Sequence, residues 1–533
     1  MSSTAPDMRE EAAAKIPALH LLMAMGYTYV SPAEALAMRG SERSVLLESV
    51  LRDRLHRYRF GHRGKSYQLS SASVDEVIRS LAATGLSEGL VPANKAMTAH
   101  ITQGITVTEF VGGEKTSKTI PLIDWSDVGA NDFHVVEEFS VARPAGLGNY
   151  RPDIVVFVNG IPLAVVEAKR PVSTTRDKAM VDEGISQHLR NQQGDGIQDL
   201  YAYSQLLLSI SGSEGRYATT STPKKFWSIW REEEIPEAEL NALRNQRLSE
   251  AQRAALFADR PGCALRDYDR LHAASVAVTE QDKLVIGLLR PARLLDFTRR
   301  FMFFDKKLGK IVARYQQVQG TKAILGQVAK KKPDGSREGG VIWHTTGSGK
   351  SNLMVFLTKA LLVDPALAGV RVIVVTDRVD LEKQLAGTFL TGGAFGSDVA
   401  TKKDGAKAKV QSGRDLAERI GKGTERIIFT LLQKFNSATK LPECYNPSDE
   451  LIVLVDEGHR SQGGENHERM RKALPNAAFI AFTGTPLLKE DKTRNKFGPI
   501  LHAYTMQRAV EDGAVTPLVY EERQPVVDIN EAA

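Results

Sequence analysis

Two groups of residues in this sequence have the types and spacing for phosphate chemistry. The first is Thr345-Thr346-Gly347-Ser348-Gly349-Lys350-Ser351, entered through the apolar run Val341–Trp343 and His344. A triphosphate needs main-chain N–H donors, a fixed cation and a magnesium ligand. Gly347 and Gly349 let the backbone at Thr346 and Ser348 wrap closely around phosphate oxygens. Lys350 reaches the β- and γ-phosphates, and the Ser351 hydroxyl suits magnesium. The helix expected to start there adds its positive N-terminal end. Three further pieces follow in order: Val372–Thr376 ending in Asp377-Arg378, Leu451–Val455 ending in Asp456-Glu457-Gly458-His459, and Ala478–Phe482 ending in Thr483-Gly484-Thr485-Pro486. Asp456 is the expected magnesium-side carboxylate and Glu457 the group that polarises the attacking water. His459, Thr483 and Thr485 suit coupling roles that sense the γ-phosphate. One such motif would carry little, but the ordered set points to a nucleotide-driven motor lobe. The usual first glycine of the loop is His344 here. Upstream, Gln317 in Arg314-Tyr315-Gln316-Gln317 reads equally as an adenine-edge contact or as an ordinary helix residue.

The second group is Arg151-Pro152-Asp153, then Ile154–Val158, Asn159-Gly160, Ile161–Val166 and Glu167-Ala168-Lys169. Asn-Gly between two apolar runs is a hairpin signal. Asp153 and Glu167 have the layout of a metal-dependent phosphodiesterase. Two carboxylates hold a hard cation, and Lys169 orients water or stabilises developing charge. The pairing poses a geometric problem. A regular two-residue loop pairs Val158 with Ile161 and therefore Asp153 with Val166, which turns Glu167 to the opposite face. A shared metal site therefore needs one extra loop residue, a bulge or a bent strand end, and a three-residue loop or bulge within residues 159–163 is expected. Pro162, which cannot donate a ladder hydrogen bond, makes irregularity there natural. Regular pairing through Asp153 would count against the nuclease assignment.

The elements that must position these groups are legible in outline. With 533 residues the chain is long enough for several domains. Hydrophobic residues make up 42% and charged residues 25%, so ordinary cores form without staples. A net charge of +6 permits nucleic-acid binding without requiring it. The two cysteines, Cys263 and Cys444, build neither a disulfide framework nor a zinc knuckle. No signal peptide or membrane-length apolar run is visible, so a cytoplasmic location is expected. Residues 1–115 read as a helical region, with a helix over Ala12–Met25 that Gly26 ends. Residues 116–260 mix strands and helices. Within them Val181–Ile210 reads as helix broken at Gly194–Gly196, and Phe226, Trp227 and Trp230 read as core aromatics. Residues 261–300 read as a linker or helical region. From 340 to 490 strands alternate with helices, implying a mostly parallel sheet covered on both faces. Lys402–Lys409 reads as a solvated loop.

These residues resemble the restriction (R) subunit of type I restriction-modification enzymes. The matching stretches include Asn131–Phe133, Arg151–Pro171, Gln187–Arg190, Leu200–Ile210, Thr345–Ser351, Asp377–Gln384, Thr430–Phe435, Asp456–His459 and Thr483–Pro486. The resemblance implies an α/β chain: a restriction-endonuclease-like, PD-(D/E)xK domain over 116–260, then a RecA-like superfamily 2 helicase lobe over 301–515. It implies ATP- and Mg2+-dependent translocation on double-stranded DNA and its cleavage, with modification and specificity subunits as partners. Asp153, Glu167 and Lys169 take the nuclease roles, and Lys350, Ser351, Asp456 and Glu457 the ATPase roles. Gln187 is a candidate for positioning, but Asn191 stands where the family often has a tyrosine. Residues 516–533 are expected to begin a second motor lobe that the chain does not contain, so this chain alone is expected to hydrolyse ATP poorly. Other readings are a nuclease-helicase of another defence or repair system, and a non-catalytic DNA-binding or assembly fragment.

Overall fold

The computed structural model describes residues 10–171, 179–376, 379, 410–456, 464–484 and 497–516. Asp377, Arg378, Lys402–Lys409, Glu457, His459, Thr485 and Pro486 lie outside the described residues, as does most of 516–533. The chain is α/β and divides into two compact units. One comprises the residues up to Thr321 together with Val355–Ala368; the other comprises Lys322–Met354, the strand at 371–376 and the residues from Val410 onward.

The first unit is built on a six-stranded mixed sheet. Its strands are β1 (Thr28–Val30), β2 (Phe133–Glu137), β3 (Ile154–Val158), β4 (Ile161–Ala168), β5 (Leu206–Ile210) and β6 (Gly215–Ala218), in that spatial order. β1 runs parallel to β2 and β4 parallel to β5; the other pairs are antiparallel. β3, β4 and β5 are buried at every position. That explains their mostly apolar runs, since both faces meet protein. The first 115 residues supply strands as well as helices. α1 (Ile16–Ala24) ends just before Gly26, at φ +99°, and β1 follows directly.

The helical reading of Val181–Ile210 holds only in part. α2 (Met180–Asn191) and a short helix at Gln198–Tyr203 are present, but Leu206–Ile210 is a sheet strand. A short apolar run has the same periodicity in a buried helix and in a buried parallel strand, and pairing with β4 decides it. Of the expected core aromatics, Trp227 and Trp230 are buried, whereas Phe226 is exposed beside Lys225.

α3 (Tyr315–Val328) leads from the first unit to the second, whose sheet is entirely parallel among the described residues. Its strands are β7 (Gly340–His344), β8 (Arg371–Thr376), β9 (Ile427–Leu431), β10 (Leu451–Val455), β11 (Ala478–Thr483) and β12 (Ile500–Tyr504), ordered β9-β8-β10-β11-β7-β12. α4 (Lys350–Val363) follows β7, and α5 (Met506–Glu511) follows β12. Val453, Val455, Phe479 and Ala481 pack with Leu416, Ile420, Phe435 and Met470 into one core. Because all strands run the same way, the residues that leave β7, β10 and β11 emerge on one edge of the sheet. That edge is where open α/β sheets hold ligands. No helix among the described residues is long and apolar enough to cross a membrane.

Candidate active sites

The hairpin of β3 and β4 contains the irregularity that a shared carboxylate site requires. Asn159 and Gly160 both have positive φ, +52° and +81°, as a two-residue primed turn demands. Ile161 pairs with Val158 and Pro162 with Phe157. The register then shifts, Ala164 pairing with Val156 and Val166 with Ile154. Leu163 is the extra residue. The shift moves Glu167 from opposite the residue before Asp153 to opposite Asp153 itself, so both carboxylates fall on one face. Gly160 is also fixed by contact: a Cβ there would run into the Leu47 carbonyl.

Asp153, Glu167 and Lys169 form one buried cluster. The Ala168 N–H donates to Asp153 Oδ2 at 2.8 Å, and the Lys169 ammonium lies 3.2 Å from the same oxygen. Lys169 Nζ also donates to the Ala168 carbonyl at 2.8 Å and lies 3.7 Å from Glu167 Oε2. Glu167 is fully buried; as a carboxylate neither of its oxygens accepts a hydrogen bond, and only when protonated does it bond to Asp153. Burial, and then the Asp153 charge, raise its pKa well above the usual carboxylate range. Burial alone would lower Lys169, but Asp153, Glu167 and Glu10 outweigh it and hold the ammonium above its ordinary value.

Two orphaned carboxylate oxygens beside a second carboxylate fit a hard divalent cation in donor type. The described residues contain no group of three or more His, Cys, Asp or Glu that could hold a metal. Water and a phosphate oxygen would therefore complete the shell. Glu10 is the residue that sequence reasoning missed. It precedes α1 and interacts electrostatically with both Lys169 and Asp153, and burial raises its own pKa. No local pattern marks an acid ahead of a helix as part of a distant hairpin's site.

Gln187 lies half-buried on α2, three residues beyond Gly184. A Cβ on Gly184 would clash with the Ser209 hydroxyl and lie 3.4 Å from Glu167 Cβ, so α2 packs directly over Glu167. The neighbouring His188 is structural. Its Nδ1 is 3.1 Å from the Tyr201 hydroxyl, its Nε2 is 2.9 Å from the Leu208 carbonyl, and burial lowers its pKa to about 4. Tyr201, fully buried, stands on the short helix that follows.

In the second unit, Thr345–Gly349 forms the turn between β7 and α4. Gly347 and Gly349 have φ +85° and +89°, a region that a side chain would strain. Ser348 closes the turn: its N–H and hydroxyl both donate to the Thr345 carbonyl, at 3.2 and 2.6 Å. Lys350 Nζ lies 3.4 Å from the His344 carbonyl. Thr346 is exposed at the loop crest, and Ser351 follows Lys350 in the first turn of α4. Gly484 approaches this loop closely. A Cβ on it would sit 2.7 Å from the Thr346 hydroxyl and 3.1 Å from Lys350 Nζ. Asp456 leaves β10 nearly buried, its N–H donating to the Val375 carbonyl at 2.9 Å. Thr376 Oγ1 lies 3.5 Å from Asp456 Oδ2. Lys350, Ser351, Asp456 and Thr483 thus share the carboxyl edge of one sheet. Gln317 stands on the α3 stretch of the first unit, and its oxygen accepts from the Arg314 N–H at 2.9 Å.

Comparison with known proteins gives two family matches. The type I restriction enzyme R protein N terminus matches residues 7–226, and the SWI2/SNF2 ATPase matches residues 316–533. The type I restriction enzyme HindI endonuclease subunit of Haemophilus influenzae is 31% identical over 483 residues, 86% of this chain and 41% of that protein. A putative type I restriction enzyme MjaIXP endonuclease subunit of Methanocaldococcus jannaschii is 31% identical over 420 residues, 77% of this chain and 37% of that one. The chain thus spans about two fifths of the length of these curated relatives. Among solved structures, a fragment of a putative HsdR subunit of a type I restriction enzyme from Vibrio vulnificus covers 71% of this chain and 56% of its own. Its identity is 16% and its TM-score 0.27, too loose to bear on any residue.

Proposed function

We propose that this chain, which belongs to the R-subunit family of type I restriction enzymes, joins a magnesium-dependent DNA phosphodiesterase to an ATP-driven translocase lobe. The nuclease is assigned to residues 116–260 with a PD-(D/E)xK fold, and the RecA-like superfamily 2 lobe to 301–515. Double-stranded DNA is the substrate, and modification and specificity subunits are the partners.

The observation that carries the nuclease half is the Leu163 bulge, which sets Glu167 opposite Asp153 with both Glu167 oxygens orphaned. Asp153 and Glu167 would hold Mg2+, which when bound supplies Lewis-acid polarisation of the phosphate and a more acidic water. Lys169, kept protonated by three carboxylates, orients the attacking water and offsets charge on the phosphate oxygens. Gln187, on the helix over Glu167, is assigned a positioning role.

For the nucleotide, Thr346, Gly347, Ser348 and Gly349 supply main-chain donors to the phosphates. Lys350 exchanges the His344 carbonyl for the β- and γ-phosphates. Ser351 and Asp456 would together hold the Mg2+ of the nucleotide. Gln317 would exchange its Arg314 bond for the adenine edge. Glu457, as the group that polarises water, and His459, as a γ-phosphate sensor, rest on sequence order alone.

The test is cleavage of supercoiled duplex DNA with magnesium, comparing wild type with Asp153→Ala. Magnesium-dependent cleavage that disappears in the variant supports the nuclease. Cleavage that persists undiminished removes it and leaves a DNA-binding or assembly role.

A further inference from the structure

β12 runs beside β7 with an interruption in register. Val341 pairs with Ile500, but the next pair is Ile342 with His502, so Leu501 is an extra residue on β12. Bulges are rare between parallel strands, and they re-aim side chains where they occur. With regular pairing, Leu501 and Ala503 would share the face of Ile342 and His344. The bulge gives that face to His502 and Tyr504 instead. Gly340 makes room for it, because a Cβ there would run into the Leu501 side chain.

His502, so aimed, meets His344 at the root of the phosphate loop. His344 Nε2 and His502 Nδ1 are 2.8 Å apart, so one ring donates and the other accepts. His344 is fully buried, and its Nδ1 has no partner. Its ring is therefore anchored through His502. Burial, then His502, then Lys350 keep the His344 pKa well below the ordinary range, so His344 is the neutral ring of the pair. The same strand holds the loop by its main chain: the Thr345 N–H donates to the Tyr504 carbonyl at 2.9 Å. After α5, Val515 backs the loop, 3.6 Å from where a Cβ on Gly347 would stand.

We infer that His502 is a positioning residue for nucleotide binding, acting through His344 to hold the phosphate loop in its binding shape. This rests on the reading of Thr345–Ser351 as a nucleotide loop. A side chain at 344 would ordinarily add freedom to a loop entered through glycine; pinning its ring removes that freedom. The His344 carbonyl also meets Lys350, so the orientation of this peptide sets where the ammonium waits. A loop already in shape binds phosphate without an ordering cost.

The experiment is a fluorescence titration of the whole chain with an N-methylanthraniloyl ATP analogue and magnesium. The variants are Lys350→Ala, His502→Leu, His502→Asn and His502→Gln, each compared at an equal thermal unfolding midpoint. Binding should vanish in Lys350→Ala and weaken about tenfold in His502→Leu, the scale of one buried hydrogen bond lost with its partner left orphaned. His502→Asn should bind like wild type, because its amide places a polar atom where Nδ1 stands. His502→Gln, one methylene longer, should not. If His502→Leu does not fold, the Asn–Gln difference carries the test. Binding lost in Lys350→Ala but equal in the Asn and Gln variants overturns the role of His502 and leaves the nucleotide loop standing. Binding that survives Lys350→Ala overturns both.

Discussion

At the phosphate loop the proposed donors to the triphosphate come from one contiguous run, Thr345–Ser351. At the carboxylate cluster, Asp153 and Glu167 come from different strands and share a face through the register of β3 and β4. The loop uses main-chain N–H groups, two positive-φ glycines and one cation, and stands at the open edge of a parallel sheet. The cluster uses buried side chains at the adjoining ends of β3 and β4, strands that are themselves buried at every position. A main-chain site built in one turn withstands small shifts of the sheet that carries it. A side-chain site built by register does not, because a slip of one residue sends a carboxylate to the other face. The two also differ in cost. The loop leaves its cation against a carbonyl, whereas the cluster leaves a carboxylate buried without a hydrogen bond.

The sharpest way to separate the regions is to disable each alone. Glu167→Gln removes a metal ligand without changing shape. DNA cleavage should fall by about three orders of magnitude, several kcal/mol of lost charge stabilisation. Nucleotide binding by the same protein should stay at wild type. A variant that loses both, measured by plasmid cleavage and by nucleotide titration, would show that the regions are not independent.

Gly484→Ala probes the other region. The added methyl would crowd the Thr346 hydroxyl and Lys350 Nζ. Nucleotide affinity should drop about tenfold, the scale of one misplaced charge-assisted contact. Unaltered affinity would mean that Gly484 moves away from the loop when nucleotide binds.

The difference in cost predicts opposite consequences for stability. Glu167→Gln should stabilise the metal-free protein at neutral pH by about 1–3 kcal/mol, because the amide has no charge to bury and no proton to take up on folding. Lys350→Ala should leave the unfolding midpoint nearly unchanged. Denaturant unfolding with a chelator present distinguishes them, and a destabilised Glu167→Gln would sink the argument.

The pH dependence follows from the same group. Glu167 is raised in the folded state above its ordinary value of 4.5, so the folded chain holds the proton more tightly than the unfolded chain. Stability should therefore fall as pH rises from about 4.5 through the raised folded value, and the penalty is complete above it. Glu167→Gln should flatten that part of the profile, and added magnesium should flatten it at neutral pH. An unchanged slope in the variant would assign the pH dependence to other groups. The smallest effect on cleavage is expected from Gly184→Ala, which presses α2 against Ser209 above Glu167. It should cost about 1–3 kcal/mol of stability and reduce cleavage while sparing nucleotide binding.

The sequence alone determined the strands that enter the phosphate loop and Asp456, their order, and the loop glycines, because these features are local. Each is set by a few consecutive residues whose backbone conformations are restricted. It also pointed to an irregularity in the Asn159-Gly160 hairpin near Pro162, since regular pairing with a two-residue period sends Asp153 and Glu167 to opposite faces. Which residue would be extra was not legible; the pairing of β4 with β3 made it Leu163. Tertiary structure alone turned Leu206–Ile210 into a strand, since an apolar run follows whatever partner surface it meets. It alone drew Glu10 into the field of Asp153 and Lys169, and His502 onto His344. Neither residue carries a local signal, because a contact between distant parts of a chain is fixed by packing and register, which no short stretch of sequence contains.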